Sequence, residues 1–282
     1  MKRFEGRNAI VTGASRGIGA ATSERLAAEG ANLLLVARTV EQHDHLAGSL
    51  RETLDRCRRF GTRVETLAAD LADETSRAKI VPHALELFGG RLDILVNNAA
   101  AAMYAPNATY PLKRRRITFE VNVHAPVDLM QAALPGMIER GEGWLVNLSS
   151  GSARLMPGPP FDLTPAGRTI GVYGASKAAL NRITQAFAAE LEGTGVRINT
   201  IEPRAAVLSE GAAELVGDQL SDDQIESMEA MVESILAVCD GPPERTGGVL
   251  VSLDLLDELA IPIRSLDGSR PHPGGQRVER GT

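Results

Sequence analysis

Apolar and polar positions along this chain fall into alternating blocks. Short, continuous apolar runs such as residues 8–12, 31–38 and 92–96 have the length of strands buried on both faces. Longer segments with apolar residues at helical spacing lie between them. Strands that alternate with helices across short turns predict parallel βαβ units, so the fold class is α/β, a doubly wound parallel sheet with helices on both faces.

The same reading assigns an element to most of the chain. We predict seven strands, at about residues 8–12, 31–38, 63–68, 92–96, 143–148, 196–201 and 248–253. Helices are predicted at about residues 17–30, 40–60, 74–88, 112–140 and 171–192. No change in composition marks a second domain, so residues 1–266 are predicted to form a single domain.

Two segments interrupt the alternation. Residues 156–169 contain four prolines and two glycines, so they cannot form a simple strand or helix. Residues 203–240 are predicted to contain a loop and helical pieces that the repeat does not require. Because open α/β sheets bind ligands beyond the carboxyl ends of their strands, residues 151–170 and 204–240 are predicted to cover a substrate. The Gly-, Pro- and Arg-rich residues 267–282 are predicted to form a flexible tail.

Composition restricts the possible partners. The 282 residues carry a net charge of -6 with a pI near 5.5, which argues against general affinity for nucleic acid or anionic membranes. The run Lys113-Arg114-Arg115-Arg116 is the local exception, and a solvated helix face explains it better than a polyanion site. The apolar runs are too short to span a bilayer, and the first strand is predicted to begin too early for a signal peptide to precede it.

The cysteines and histidines give no sign of a disulfide framework or a metal site. Cys57 and Cys239 lie far apart and neither belongs to a Cys-x-x-Cys pair. No Cys/His cluster has metal-ligand spacing. We therefore expect a soluble protein of the reducing cytoplasm that holds no metal.

A glycine-rich turn follows the first predicted strand. It reads Thr12-Gly13-Ala14-Ser15-Arg16-Gly17-Ile18-Gly19 and leads into a helix. Glycines allow a tight turn and close approach of the backbone to a phosphate, and the helix N-terminus offers free N–H groups and partial positive charge. The spacing is G-x-x-x-G-x-G rather than G-x-G-x-x-G, so the turn alone is moderate evidence for dinucleotide binding.

Polar motifs recur at the later strand ends. Val96-Asn97-Asn98-Ala99-Ala100 ends the fourth strand, Asn147-Leu148-Ser149-Ser150 ends the fifth, and Tyr173-Gly174-Ala175-Ser176-Lys177 opens the next helix. With Asn122 in the preceding helix, these motifs follow one another in an order that strongly resembles the short-chain dehydrogenase/reductase family, over about residues 5–255. The resemblance implies a Rossmann-like domain.

The Tyr-x-x-x-Lys pair has its own chemistry. Tyr173 and Lys177 are four residues apart on a helix, so their side chains share one face. An ammonium group beside a phenol favours the phenolate, so we expect the pKa of Tyr173 to fall from about 10 toward neutrality, which a shift worth roughly 4 kcal/mol would achieve. Such a tyrosine could donate and accept protons near neutral pH.

The resemblance gives each catalytic residue a role. Tyr173 would exchange a proton with the substrate oxygen, Ser150 would polarise that oxygen, and Ser149 is the alternative serine. Lys177 would hold the cofactor ribose and tune the tyrosine. Asn122 would join a proton relay through water to Lys177, or else simply satisfy a backbone carbonyl inside a helix.

The second strand bears on the choice of nicotinamide cofactor. Ala37 stands where NAD-preferring relatives carry Asp, and Arg38 follows it. An arginine attracts a 2′-phosphate, whereas a carboxylate repels it, and Arg16 in the glycine turn adds a second positive charge. We therefore expect NADP(H) rather than NAD(H). The residues expected to bind it are Gly13, Ser15, Arg16, Gly17, Ile18, Gly19, Arg38, Asp70, Leu71, Asn98, Ala99, Ala100, Tyr173, Lys177, Pro203 and Ser209.

Three features depart from the family pattern. The gap between Ser150 and Tyr173 is long, which predicts an added flap near the substrate. Pro203-Arg204 stands where Pro-Gly is common, so Arg204 could pair with an anionic ligand or face solvent. Ser209 could replace a threonine that touches the carboxamide of the nicotinamide.

The leading hypothesis for function is an oxidoreductase that moves a hydride between NADP(H) and a carbonyl or secondary alcohol, with a moderately apolar small-molecule substrate. A non-catalytic dinucleotide sensor or scaffold is the alternative from another class. A nucleotide-sugar epimerase or dehydratase fits less well, because such enzymes usually carry G-x-x-G-x-x-G and a larger C-terminal domain. The resemblance also predicts a homodimer or homotetramer, paired through the two long helices.

Overall fold

A seven-stranded, fully parallel sheet lies at the centre of the computed structural model, which describes residues 2–41, 47–161, 163, 167–210 and 224–272. The strands are β1 (Asn8–Thr12), β2 (Asn32–Ala37), β3 (Val64–Ala68), β4 (Ile94–Asn97), β5 (Gly143–Leu148), β6 (Val196–Glu202) and β7 (Val249–Val251). Their order is β3-β2-β1-β4-β5-β6-β7, so the order reverses between β1 and β4. The predicted α/β fold class is confirmed.

Helices cover both faces of this sheet. In the described residues they are α1 (Gly17–Ala28), α2 (Leu50–Arg58), α3 (Glu74–Arg77), α4 (Ile80–Leu87), α5 (Leu112–Phe119), α6 (Ala125–Arg140), α7 (Gly171–Glu190), α8 (Met228–Cys239) and α9 (Ser252–Glu258). Neighbouring residues of one strand enter separate cores: Val11 packs with Leu26 of α1, whereas Ile10 packs with Met130 of α6. This burial on both faces explains why the strands are continuous apolar runs.

The long helix predicted over residues 112–140 is interrupted. A wider π-helical turn, Glu120–His124, separates α5 from α6. The backbone N–H of Ala125 bonds to the carbonyl of Glu120, five residues earlier. Such π turns occur frequently at functional sites, and this one carries Asn122.

Two other boundaries differ from the prediction. The helix predicted over residues 40–60 is observed as Leu50–Arg58, and residues 42–46 lie outside the described part of the chain. The last strand ends at Val251 rather than residue 253, because Leu253, Leu255 and Leu256 are spaced for a helix and bury their side chains there.

The C-terminal boundary also lies further on than predicted. Arg264 pairs with Pro271 in an isolated antiparallel bridge, and Arg25 of α1 donates to the carbonyl of Ser265 at 3.4 Å. Residues 267–272 are therefore part of a turn against α1, and residues 273–282 lie outside the described part. Among the described helices, none has the length and apolar character needed to cross a membrane.

Candidate active site

The polar motifs converge on one edge of the sheet, where the strands end. The glycine-rich turn follows β1, Asn98 follows β4, Ser150 follows β5 and Pro203 follows β6. Ligands of open α/β sheets bind at this carboxyl edge, in the crevice where the strand order reverses. The first turn of α7, which carries Tyr173, lies at the same edge.

Close packing explains the glycines of the first turn. Gly13 and Gly17 have positive φ angles of 68° and 54°. A Cβ on Gly13 would lie 2.7 Å from Asn98 Nδ2, and one on Gly17 would lie 2.8 Å from Ser209 Cβ. Helix α1 then begins without a side-chain hydrogen bond to its first N–H groups from the described residues. These N–H groups and the helix dipole suit a phosphate.

Asn98 joins the glycine-rich turn to the end of β4. Its Nδ2 donates to the carbonyl of Thr12 at 2.8 Å, and the backbone N–H groups of Asn98 and Ala99 donate to Thr12 Oγ1 at 3.0 and 3.1 Å. Asn97 donates instead to Asn147 Oδ1 at 2.9 Å, between β4 and β5. These bonds hold Asn98 and Ala99 beside the turn.

We expect Gly19→Ala to disable the glycine-rich turn. A Cβ there would overlap both Asn98 Nδ2 and the carbonyl of Gly13, so the backbone would have to shift. The expected result is a rise in the NADPH Kd of more than about tenfold, with a lower Tm. Fluorescence titration and thermal unfolding measure these effects. Gly136→Ala is the control, since its nearest neighbour is the flexible end of Arg140 at 3.3 Å, and equal binding by both variants would contradict the assignment.

The residues expected near the adenosine lie around β2 and β3. Arg16 bonds through its guanidinium to the carbonyls of Ala47 and Gly48, at 3.0 and 3.1 Å, and so lies against the loop that follows β2. Arg38 is exposed at the end of that strand. Asp70 Oδ1 accepts the N–H of Ala72 at 3.0 Å, in the turn after β3. Leu71 is buried beside it, and the partly buried Ile18 packs on the core below α1.

A chain of hydroxyl groups links Ser152, Ser150 and Tyr173. Ser152 donates to Ser150 Oγ at 2.9 Å, and Ser150 forms a side-chain hydrogen bond with Tyr173. Because Ser150 Oγ accepts hydrogen bonds from both the hydroxyl and the backbone N–H of Ser152, the latter at 3.3 Å, its own hydrogen is free to point toward Tyr173 or a substrate oxygen. The structure thus brings Ser150 rather than Ser149 to the tyrosine. Ser149 Oγ is buried without a hydrogen-bond partner in the described part.

The pKa of Tyr173 is raised, opposite to the direction predicted from the Tyr-x-x-x-Lys spacing. Burial is the largest cause, the nearby Tyr104 adds to it, and the hydrogen bond to Ser150 only partly offsets it. Lys177 does not counter this effect, because its Nζ donates to the carbonyl of Leu148 at 2.6 Å and lies 5.8 Å from the centre of the tyrosine ring. The prediction failed because desolvation outweighs the ammonium charge in this geometry.

Lys177 is itself almost fully buried, with 2% of its surface exposed. Burial lowers its pKa from 10.5 to about 8.

Gly174, in the same motif, has a packing role: a Cβ on Gly174 would overlap the carbonyl of Ser152. Glycine at this position therefore lets α7 approach the turn that carries Ser150 and Ser152.

Asn122 is fully buried in the π turn. Its Oδ1 accepts the N–H of Ala101 at 2.7 Å, while its Nδ2 contacts the carbonyl of Ala101 at 3.3 Å and donates to Ser176 Oγ at 3.0 Å. This side chain therefore supports the loop after β4 and joins it to α7. The proton-relay role of Asn122 stays a prediction. The alternative role, satisfying a backbone carbonyl, is seen in its contact with Ala101.

Sequence reasoning did not single out Tyr104. Its ring lies 6.1 Å from that of Tyr173, tilted by 53°. The loop that carries it is held by Tyr110, which donates to the carbonyl of Met103 at 2.7 Å, and by a bond from the Ala105 N–H to Thr169 at 3.1 Å. Tyr104 belongs to none of the sequence motifs, so no local signal marks it.

Arg204 does not face solvent, since only 16% of its side chain is exposed, and its pairing with an anionic ligand stays a prediction. Its guanidinium lies 3.4 Å from Asp254 of α9. Its backbone N–H donates to the buried carboxylate of Glu226 at 2.9 Å, which also accepts from Ser252 Oγ at 2.6 Å. Burial raises the pKa of Glu226, and these hydrogen bonds partly offset the shift.

The two predicted covering segments are anchored at their bases. Arg154, after the turn at Gly151–Ala153, forms an ion pair with the buried Glu202 at the end of β6. In the second segment, Ala206 forms a parallel bridge with Ile225. Residues 162, 164–166 and 211–223 lie outside the described part, so the covering role of both segments stays a prediction.

Comparison with known proteins agrees with this geometry. Residues 7–219 match the short chain dehydrogenase family profile. A curated Pseudomonas putida relative, 1,6-dihydroxycyclohexa-2,4-diene-1-carboxylate dehydrogenase, is 38% identical over 205 residues, which cover 72% of this chain and 67% of the relative. This chain belongs to the short-chain dehydrogenase/reductase family of oxidoreductases.

Other relatives cover more of the chain at lower identity. Mouse hydroxysteroid dehydrogenase-like protein 2 is 28% identical over 265 residues, 92% of this chain, and the match spans 51% of that longer protein. A short chain dehydrogenase structure from Mycobacterium thermoresistibile superposes with a TM-score of 0.78 at 28% identity, covering 92% of this chain and 89% of the other. These matches support the family and the fold.

Proposed function

We propose that the protein transfers a hydride between NADP(H) and a carbonyl compound or secondary alcohol. One observation carries this proposal: the Ser150 and Tyr173 side chains are hydrogen bonded above the buried Lys177, at the sheet edge that holds the glycine-rich turn. A proton donor, an oxygen-polarising hydroxyl and an anion-binding helix end therefore share one crevice.

The residues present fit a dinucleotide. The glycines let the turn pack closely against Asn98 and Ser209 and leave the N-terminus of α1 without a side-chain cap, where a pyrophosphate would bind. Lys177 would reach the ribose next to the nicotinamide, and the segment from Asn98 to Ala100 would lie along the cofactor. When bound, the nicotinamide supplies the hydride donor or acceptor.

Residues of this chain would donate the proton to the substrate oxygen and stabilise the negative charge that develops on it. Tyr173 has a raised pKa, so its phenol is protonated at neutral pH and suited to protonate a carbonyl oxygen during reduction. Ser150, with its proton directed by Ser152, would donate to the same oxygen as negative charge forms there. The partly buried Tyr104 would form the adjacent wall, which suits a moderately apolar substrate.

Two arginines support NADP(H) over NAD(H). Arg38 follows β2, where the adenosine ribose would lie. Arg16 lies against the loop after that strand. Solved relatives hold either cofactor: an Agrobacterium tumefaciens 3-oxoacyl (acyl-carrier-protein) reductase, 27% identical with a TM-score of 0.74, has NADP bound, and a Mycobacterium paratuberculosis relative, 26% identical, has NAD. The preference therefore rests on the residues of this chain.

Titration of the protein with NADPH and NADH, alongside Arg38→Asp, tests the proposal. We expect NADPH to bind more tightly than NADH, and the substitution to weaken NADPH by at least about tenfold, because a carboxylate repels the 2′-phosphate. Arg58→Asp, in the last turn of α2, is the charge-matched control and should bind like the parent. Preference for NADH would reverse the cofactor assignment, and binding of neither would favour a different function.

We also propose that the protein is a homodimer or homotetramer that pairs through the helices predicted at 112–140 and 171–192. The support is the family resemblance and the length of α6 and α7. Light scattering after size-exclusion chromatography measures the mass directly, and a monomer at micromolar concentration would contradict the proposal.

A further inference from the structure

Arg77 is a buried arginine at the end of α3, with 4% of its side chain exposed. Its guanidinium donates to three acceptors: the carbonyl of Leu71 at 3.1 Å, and the carboxylates of Glu120 and Asp128, each at 2.5 Å. A buried cation is stable only where its donors are satisfied, and the planar fork of a guanidinium fixes where the acceptors must lie. Arg77 therefore holds three parts of the chain in a fixed relation to one another.

The two carboxylates lie on either side of the π turn. Glu120 is its first residue, and Asp128 lies in the first turn of α6. Residues eight apart in an unbroken α-helix point about 80° apart around the axis. The π turn contains one extra residue, which reduces this angle to about 20°. Both carboxylates can therefore face one guanidinium, and Arg77 in turn favours the π turn over an unbroken helix. We term Arg77, Glu120 and Asp128 the clamp.

The π turn also determines the position of Asn122, which is fully buried. Its side chain accepts the N–H of Ala101 at 2.7 Å and donates to Ser176 Oγ at 3.0 Å. Ala101 follows the segment that would lie along the cofactor. Ser176 precedes Lys177, which would reach the ribose next to the nicotinamide. The position of the π turn therefore affects two walls of the proposed nicotinamide pocket.

We propose that Arg77 is a positioning residue for the nicotinamide half of the cofactor. The guanidinium fixes the π turn through the clamp, and Asn122 then holds the loop after β4 and the start of α7 beside the nicotinamide. In the described part of the chain, Arg77 has no hydrogen bond to a catalytic residue, so it acts through the π turn. The inference rests on the proposed function, because the pocket belongs to the same site.

The bond from Arg77 to Leu71 calls for a measurement that separates the two ends of the cofactor, since Leu71 lies at the expected adenine end. 2′-Phospho-ADP-ribose contains the adenine half of NADPH and lacks the nicotinamide. The ratio of its Kd to the Kd of NADPH, which we term the nicotinamide gain, measures what the nicotinamide adds to binding. An effect of Arg77 on the adenine end cancels in this ratio.

Calorimetric titration of both ligands into the parent and Arg77→Met tests the inference. We expect NADPH to bind the parent more tightly than 2′-phospho-ADP-ribose does. We expect Arg77→Met to reduce the nicotinamide gain roughly tenfold, which is comparable to the loss of one hydrogen bond.

Arg25→Met is the matched control. Arg25 is also buried, with 2% of its side chain exposed. It also donates to two carboxylates and one carbonyl, those of Glu29, Glu233 and Ser265. Both variants should lower the Tm, because each leaves buried carboxylates without their cation. Only Arg77→Met should lower the nicotinamide gain, whereas a merely structural role predicts the Tm change alone.

Asp128→Asn keeps the test decisive if Arg77→Met does not fold. Asp128 is 46% exposed, and Arg77 retains Glu120 and Leu71, so this variant should stay folded. Loss of one charge loosens the clamp, and we expect the nicotinamide gain to fall about threefold.

An unchanged nicotinamide gain in every clamp variant that folds would overturn the inference, and so would an equal fall in Arg25→Met. A parent that binds NADPH no more tightly than 2′-phospho-ADP-ribose would overturn it as well, because no nicotinamide pocket is then held. Failure of the parent to bind either ligand would instead contradict the proposed function. The two failures are therefore distinguishable.

Discussion

Tyr173→Phe is expected to lower kcat for carbonyl reduction by roughly 10²- to 10⁴-fold while leaving the NADPH Kd close to that of the parent. The substitution removes only the hydroxyl, which is the proposed proton donor. Ser150 keeps its bond from Ser152, so the surrounding structure should persist. Steady-state rates with a carbonyl substrate and a parallel titration with NADPH measure the two effects.

Tyr104→Phe provides the matched control. It removes the same atom from a ring 6.1 Å away, in a residue whose pKa burial also raises. We expect this variant to retain most of kcat, with any loss appearing in KM, because Tyr104 is assigned a wall and no proton. Equal losses of kcat in the two variants would mean that Tyr173 is not the specific donor.

Lys177→Met is expected to stabilise the protein and abolish turnover. Burial of the ammonium lowers its pKa from 10.5 to about 8, which corresponds to a penalty of about 3 kcal/mol at neutral pH. The lost bond to the Leu148 carbonyl costs about 1 kcal/mol, so the free energy of unfolding should rise by about 2 kcal/mol. Urea unfolding and the reduction rate measure the two effects.

The pH dependence identifies the cause of this gain. Since the folded-state pKa lies below the unfolded one, the unfolded parent holds more protons between about pH 8 and 10.5, and its free energy of unfolding rises with pH over that window. The advantage of Lys177→Met should therefore be constant below pH 8 and shrink above it. Lys79→Met removes an exposed lysine and should show neither the gain nor the pH effect. A gain that is the same at every pH would exclude desolvation as its source.

The fold could be predicted because its signals are local. Burial on both faces makes each strand an apolar run, and the glycines mark the turn after β1. The π turn at Glu120–His124 could not be predicted, since residues on both sides of it keep a helical pattern. The early end of β7 depends on the start of α9 at Ser252. The residues of β7 alone do not indicate where the strand stops.

The sequence motifs named candidate site residues one by one, but they did not indicate the electrostatics of those residues. Spacing places Tyr173 and Lys177 on one helix face, and the structure keeps them there. The direction of the shift in the pKa of Tyr173 depends on burial. It also depends on the carbonyl of Leu148, 29 residues from Lys177, which accepts the hydrogen bond of the ammonium group. The contact between Arg204 and Asp254 likewise joins residues that share no local pattern. Long-range contacts of this kind leave no signal in a single sequence.

The two ends of the segment that follows β6 are joined to each other next to the sheet. Glu226 and the bridge between Ala206 and Ile225 hold the outgoing and returning chain together beside the sheet. A change in the length of the chain between them leaves the sheet untouched, and doubling such a loop costs only about 0.6 kcal/mol in closure entropy. A change in the number of residues between Glu210 and Gln224 would therefore leave the core residue Val207 and the predicted cofactor-binding Ser209 in place while altering the predicted substrate cover.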